Sequence, residues 1–268
     1  MRTALIISTY NQPDVLGLVL RSVVQQSRLP DEVLIADDGS TPATRNVIDQ
    51  FSDCVSNRVL HCWQPDQGFR KTRILNRAIV AATAEYLVFS DGDMLLHPQF
   101  ISDHVEIALP GRYTQGRRIC FDERATTRIL NSDTLPRPHL LSRGLNRRSQ
   151  MIRNRWLMKR FSTENQGLKN SRGCNQAFWR QDLLDVNGYD EQMQGWGRED
   201  TELCVRLHNL GRHRFYARHW ALAWHLFHPE LSRDQEAANR RQMESTIAVG
   251  KVRATQGIDQ IPASEAAA

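Results

Sequence analysis

Residues 85–98 read EYLVFSDGDMLLHP, an apolar run from Tyr86 to Ser90 that ends abruptly in Asp91 and Asp93, with Gly92 between them. A short apolar run bounded by turn residues suits a strand buried on both faces, the environment of a parallel sheet. Carboxylates at the C-terminal end of such a strand stand where open α/β sheets take their ligands. Gly92 permits a tight turn, so both acids can face one site. A few hard oxygen donors suit Mg²⁺ or Mn²⁺ shared with a substrate's phosphates, because the ion keeps positions open for them. The same residues also fit a plain acidic turn, since Asp-Gly is a common turn dipeptide.

The chain before this stretch repeats its logic. TALIIST, Thr3 to Thr9, reads as a first strand, and after Pro13 the residues Leu16, Leu20, Val23 and Val24 recur on one helical face. EVLIA, Glu32 to Ala36, is a second strand and also ends in two acids, Asp37 and Asp38. A helix opening at Pro42, a strand in NRVLHCW and a helix in FRKTRILNRAIVAA complete the series. Strand and helix alternating in this way predict an α/β fold, a mostly parallel central sheet with helices on both faces.

That regularity fails after about Ala108. Arg112 to Arg160 holds twelve arginines and one lysine against three acids, Asp122, Glu123 and Asp133, in a chain of net charge +5. Such a block serves an anionic substrate, an anionic membrane surface or nucleic acid, or is only a solvated face. No nucleic-acid module accompanies it, so nucleic acid is not expected as a partner. Asn146 to Phe161 reads as one basic helix with Met151, Trp156, Met158 and Phe161 as its apolar positions. It is either a membrane-surface or acceptor-gripping element or a helix packed on the domain. Order returns with a strand in RGCNQAFW, a helix after GWGRED that Gly211 ends, and one or two strands before HLFHP. Ser232 to Arg253 looks helical, and TQGIDQIPASEAAA has the composition of a loose tail.

No apolar run approaches the roughly 20 residues that span a bilayer. The N-terminal apolar run is too short for a secretory signal. Five cysteines, at 54, 62, 120, 174 and 204, show no CxxC spacing, which argues for reduced thiols and a cytoplasmic setting. With the basic block, the expected location is cytoplasmic and peripheral at the inner face of the cell membrane.

Four short motifs occur in order: ISTYN at 7–11, DDGS at 37–40, SDGDM at 90–94 and GWGRED at 195–200, joined by GFRKTRILN at 68–76 and HLFHP at 225–229. With them the chain resembles the family 2 glycosyltransferases of GT-A (Rossmann-like) fold, in the branch of chondroitin-polymerase-like and β1,4-galactosyltransferase-like domains. The resemblance covers about Ala4 to Pro229, with 110–160 unmatched. It implies that Ser8 and Tyr10 line the nucleotide's base and ribose, that Asp38 hydrogen-bonds a uracil, and that Arg73 helps hold the nucleotide. It further implies that Asp91 serves the ribose and metal-water side, that Asp93 binds the divalent ion directly, and that His228 and His225 add ligands. Trp196 corresponds to a tryptophan that closes over the donor, Asp200 to the catalytic base and Glu199 to its acceptor-positioning partner. Arg198 departs from the galactosyltransferase pattern, which has a second glycine there.

The chemistry fits those roles. A nucleotide-diphospho-sugar carries a leaving group that Mn²⁺ or Mg²⁺ stabilises. An inverting transfer to a glycan or glycolipid, as in surface polysaccharide or lipopolysaccharide synthesis, needs a carboxylate to take the incoming hydroxyl's proton. Asp200 at a helix start, beside Arg198, is expected to stay ionised, although a plain helix cap would look the same. A sugar-1-phosphate nucleotidyltransferase is disfavoured because no N-terminal Gly-rich phosphate loop is present. A non-catalytic sugar-nucleotide-binding protein would not need Asp200. The expected organisation is a GT-A domain over 1–230, divided into a nucleotide-sugar half (1–108), a variable basic segment (110–160) and an acceptor and catalytic half (165–230). A C-terminal helix and tail fill 231–268.

Overall fold

The computed structural model describes residues 1–132, 134–229 and 232–262, so Asp133 and the last six residues of the expected tail lie outside the described residues. The first half follows the expected alternation: β1 (Thr3–Thr9), α1 (Pro13–Val24), β2 (Glu32–Asp37), α2 (Pro42–Cys54), β3 (Arg58–Trp63), α3 (Lys71–Ala81) and β4 (Tyr86–Asp91). The four strands lie parallel in the order β3-β2-β1-β4. Side chains alternate between faces along each strand. Ala4, Ile6, Leu34, Ala36, Leu87 and Phe89 therefore pack in one core layer with Ile74, Leu75, Ala78 and Ile79 of α3. Leu5, Ile7, Val33, Ile35 and Val88 pack in the opposite layer with α1 and α2. Burial of each large aliphatic side chain contributes about 1.5–3 kcal/mol, so the two layers fix both the sheet and its register.

The second half adds β5 (Met94–Leu96), α4 (Phe100–Glu106), β6 (Arg112–Gln115), β7 (Arg117–Cys120), α5 (Glu123–Leu130), α6 (Arg155–Phe161), β8 (Thr163–Asn165), β9 (Asn175–Trp179) and α7 (Arg180–Asp185). It continues with α8 (Glu199–Asn209), β10 (His213–Tyr216), β11 (Leu222–His225) and α9 (Glu236–Ala248). β9 enters the sheet antiparallel between β4 and β6, and β10 and β8 complete the eight-stranded order β3-β2-β1-β4-β9-β6-β10-β8. A second sheet, β5-β11-β7, has strands of three or four residues, too short to show a period in the sequence.

Two local expectations are corrected. Asn146–Phe161 is not one helix: a 3₁₀ turn at Arg148–Met151 is separated from α6 by an extended link. Within that link Arg153 makes a bidentate ion pair with the fully buried Asp103, and its guanidinium lies 4.0 Å from the Trp220 ring centroid. Asn154 then caps α6 by accepting a hydrogen bond from Leu157 N. The described part of the tail is not loose either. Asn187 donates through Nδ2 to Ala254 O and accepts from Asp259 N, while Ile258 packs against the core layer of α3. α9 is likewise bound to the body, since Thr246 donates to the buried Glu202, whose other contacts hold Arg206.

Candidate active site

The topology brings Asp93 and His225 together although 132 positions separate them. Asp93 immediately precedes β5, His225 ends β11, and the antiparallel register pairs Met94 with His225. Leu226 N donates to Asp93 O at 2.9 Å and continues that pairing. As a result Asp93 Oδ2 stands 3.3 Å from His225 Nε2 and 3.2 Å from His228 Nε2. His228 Nδ1 lies 2.7 Å from Pro229 O, so its proton resides there and Nε2 is turned toward the carboxylate. Asp93 Oδ1 is sealed from solvent and has no hydrogen-bond partner among the described residues. Burial works to raise the Asp93 carboxyl pKa, but hydrogen bonds and charge from both histidines outweigh it and hold it well below the usual range. Burial alone would lower His225, yet Asp93 and Cys120 push it up to about 9; hydrogen bonding to Asp93 raises His228. One carboxylate with an unused oxygen and two imidazoles, with donor atoms within 4.8 Å of one another, is a fitting set for a divalent transition-metal ion.

Asp91 faces elsewhere. Its Oδ1 accepts from Ser8 Oγ at 2.8 Å and from Lys71 Nζ at 2.6 Å. Gly92 is required between the two acids because its backbone N–H donates to Ser8 O at 2.7 Å, and a Cβ would stand 2.9 Å from that same oxygen. Lys71 opens α3 and is mostly covered. Burial works to lower its pKa, but Asp91, Asp200 and Glu199 together raise it well above the ordinary lysine value. It is the cation of a three-carboxylate group.

The other two carboxylates begin α8. Asp200 Oδ2 accepts from Gly173 N at 2.6 Å, an approach that only glycine allows, since a Cβ there would lie 2.3 Å from Asp200 Oδ1. Asp200 Oδ1 is buried and has no hydrogen-bond partner among the described residues. Burial raises the Asp200 pKa, with Lys71 opposing and Asp91 adding to it. Glu199, 6% exposed, is pushed up to about 7 by burial and by the Asp200 charge, and its Oε2 accepts from Gly197 N at 3.0 Å. Arg198 does not assist Asp200, contrary to expectation: it caps the helix in a left-handed conformation (φ 75°), and its guanidinium pairs with Glu236 at 2.9 Å. Lys71 is the cation that acts on Asp200. Neither acid serves as the helix cap.

Around these centres lie the remaining expected residues. Asp38 is buried, with Gln64 Nε2 donating to its Oδ1 at 2.5 Å and Arg70 N to its Oδ2 at 2.7 Å. Exposed Tyr10 donates to Asp66 Oδ2 at 2.8 Å. The charge of Arg73 acts on Glu191, whose pKa burial raises against the opposing effects of Asn76 and Arg73. Trp196 is partly exposed between Gly195 and Gly197, with the Arg233 guanidinium 5.2 Å from its ring centroid. α9 braces this loop from below, as Asn239 Nδ2 donates to Gln194 O and Gly197 O. The sequence reading missed Lys71. The basic run Arg70-Lys71-Thr72-Arg73 was visible, but which of its side chains turns to the acids depends on where α3 begins.

Two family patterns match the chain, the first of them running through 110–160. The glycosyl transferase family 2 pattern matches residues 4–182, and the N-terminal domain of galactosyltransferase matches 159–228. Validoxylamine A glucosyltransferase of Streptomyces hygroscopicus subsp. limoneus is 29% identical over 232 residues, covering 78% of this chain and 48% of that protein. Chondroitin synthase of Escherichia coli is 24% identical over 265 residues, covering 93% of this chain and 38% of that protein. The chain thus spans about half or less of the length of these relatives. The crystal structure of GalNAc-T7 with UDP, GalNAc and Mn²⁺ superposes with a TM-score of 0.67 at 12% identity, over 92% of this chain and 48% of that one. That likeness establishes the GT-A fold.

Proposed function

The chain belongs to glycosyl transferase family 2, and from that premise we propose a metal-dependent, inverting glycosyltransferase. It moves a sugar from a nucleotide-diphospho-sugar, a UDP-sugar, to a glycan or glycolipid acceptor in surface polysaccharide or lipopolysaccharide synthesis. The observation that carries the reading is the presence of two acidic centres: Asp93 with two imidazoles, and Asp200 with a sealed oxygen that has no partner among the described residues. Lys71 pairs with Asp91, two residues before Asp93, and its charge also acts on Asp200.

Asp93, His228 and His225 would hold Mn²⁺ or Mg²⁺, and the imidazoles favour the transition metal. When bound, the ion supplies Lewis-acid stabilisation of the departing diphosphate. Ser8 and Lys71 fix Asp91 on the ribose side. Tyr10, Arg73 and Trp196 flank the nucleotide, and Asp38 keeps lone pairs for a uracil N–H beyond its two present donors. Asp200 takes the acceptor hydroxyl's proton. It ionises before Glu199: burial raises both carboxyls, the Asp200 charge then raises Glu199 further, and Lys71 and the Gly173 N–H favour the Asp200 carboxylate. Glu199 orients the acceptor. Single displacement by that hydroxyl inverts the anomeric carbon.

The division into a nucleotide-sugar half (1–108), a basic segment (110–160) and an acceptor and catalytic half (165–230), with 231–268 appended, belongs to this proposal. So does a cytoplasmic location with peripheral contact at an anionic membrane surface. Exposed Leu141, Trp156 and Phe161 among the arginines support that contact. No helix among the described residues is long and apolar enough to cross a membrane. A panel of nucleotide-sugars, assayed for donor hydrolysis with Mn²⁺ and with EDTA, tests the reading. Hydrolysis of a UDP-sugar that EDTA abolishes is the expected result, and equal hydrolysis with EDTA would overturn the metal assignment.

A further inference from the structure

Two groups stand out among the twelve arginines of 112–160. Arg112 pairs with Glu164, Arg153 with Asp103 and Arg155 with Glu106. Arg117, Arg118 and Arg147 instead converge with Arg172 on one small cleft, which Cys174 and Tyr216 also line. None of these four is paired with a carboxylate among the described residues. Arg117 Nε donates to the Tyr216 hydroxyl, and its guanidinium lies 5.0 Å from that ring centroid, which orients it without neutralising it. Arg118 is largely covered, and its Nε is buried without a partner among the described residues. Arg147 holds a left-handed backbone conformation, φ 56°, that non-glycine residues seldom adopt. Burial first, then the charges of Arg118 and Arg147, lower the Arg172 pKa, so these cations repel one another across the cleft.

Convergent, partly buried and unpaired guanidinium groups are costly without an anion. The cleft also adjoins the reaction centre. Arg118 feels the charges of Asp91 and Asp93, and Cys174 directly follows Gly173, whose N–H holds Asp200. An acceptor whose hydroxyl meets Asp200 would bring its neighbouring unit toward these arginines. We propose that this cleft is an acceptor subsite for an acidic glycan, binding a carboxylate or phosphate on the unit next to the one that is glycosylated. Guanidinium forks match both anions in bidentate fashion. A recessed cleft beside the base favours a glycan over a flat membrane surface. The inference rests on the glycosyltransferase reading above.

The test is calorimetry on the whole chain with three probes: an unsulfated chondroitin hexasaccharide, its carboxyl-reduced neutral counterpart and a glycerol-phosphate hexamer. UDP with Mn²⁺ is titrated in parallel. Wild type should bind at least one acidic probe about tenfold or more tighter than the neutral one, the range of a charge-assisted hydrogen bond. Arg118→Gln combined with Arg172→Gln should remove that preference and leave UDP affinity within about twofold, while Arg118→Lys should restore part of it. Arg147→Gln, at an exposed position, gives a second variant with little risk to folding. Equal binding of acidic and neutral probes by wild type overturns the subsite. A parallel fall in UDP affinity in the arginine variants also overturns it, assigning these residues to the donor's diphosphate. Failure of wild type to bind UDP overturns the donor reading alone, since the oligosaccharide arms are scored separately.

Discussion

Asp93 and Asp200 are both partly covered carboxylates at the ends of regular elements, yet their surroundings drive them in opposite directions. Asp93 meets two imidazoles, which outweigh burial and keep it a carboxylate. Asp200 meets a single shared lysine and one backbone N–H, burial wins, and its pKa rises. A group held ionised by nitrogen donors suits a cation; a group whose proton affinity is raised suits proton transfer. The difference between the two is made largely by His225, His228 and Lys71, each more than 100 residues away along the chain from the acid it acts on, not by the local acidic motifs.

The largest expected effect comes from removing the proposed proton acceptor. Asp200→Asn should cut transfer by ~10²–10⁴-fold, the range for a positioned general base, while UDP affinity with Mn²⁺ measured by calorimetry stays near wild type. Near-full transfer would erase the distinction between the two centres. At the other centre, Asp93→Ala should abolish the metal-dependent gain in UDP affinity and leave the fold intact, with His228→Ala producing a smaller rightward shift in the Mn²⁺ titration. Retained, metal-enhanced UDP binding in Asp93→Ala would take the ion away from this cluster.

Lys71 sharpens the contrast. It lowers the pKa of Asp200 and Glu199, so Lys71→Met should let both hold their protons to higher pH. The acid limb of the transfer profile should therefore move upward by about 1 pH unit or more. An unmoved limb would show that Asp200 does not feel this lysine. The smallest effect is on stability. Glu199 has a folded-state pKa of about 7 against an ordinary 4.5, so between those values the unfolded chain releases its proton first. Wild type should then lose stability relative to Glu199→Gln as pH rises through that window, by about 1–3 kcal/mol, in denaturant titrations at pH 4.5 and 7.5. A constant difference would mean that burial does not perturb Glu199.

The sequence made some of this legible and hid the rest for identifiable reasons. Strands β1 to β4 carry their own signal, because each is an apolar run ending at polar turn residues, and the acidic ends of β2 and β4 mark the ligand edge of the sheet. Asp91, Asp93, Glu199 and Asp200 stand in short motifs and could be singled out. Lys71 could not, since the helical register of α3 decides that it, and not Arg73, reaches Asp91. The division of the basic segment was equally hidden. Arg153 and Asp103 are 50 residues apart, and only the folded chain separates an arginine paired with a buried acid from Arg118, whose Nε has no partner among the described residues. Arg198 misled for the opposite reason: adjacency to Asp200 suggested a pair, but its left-handed backbone turns the guanidinium to Glu236 on α9.

The central claim is a single displacement assisted by Asp200 with the donor held at the Asp93 centre. Time-resolved proton NMR of UDP-sugar hydrolysis, with water standing in for the acceptor, tests it most directly, because the anomer released first is read before mutarotation. An α-linked UDP-sugar should yield the β-anomer first in the presence of Mn²⁺, and Asp200→Asn should suppress that signal. Initial release of the α-anomer by wild type would contradict a single displacement and the role of Asp200 in it.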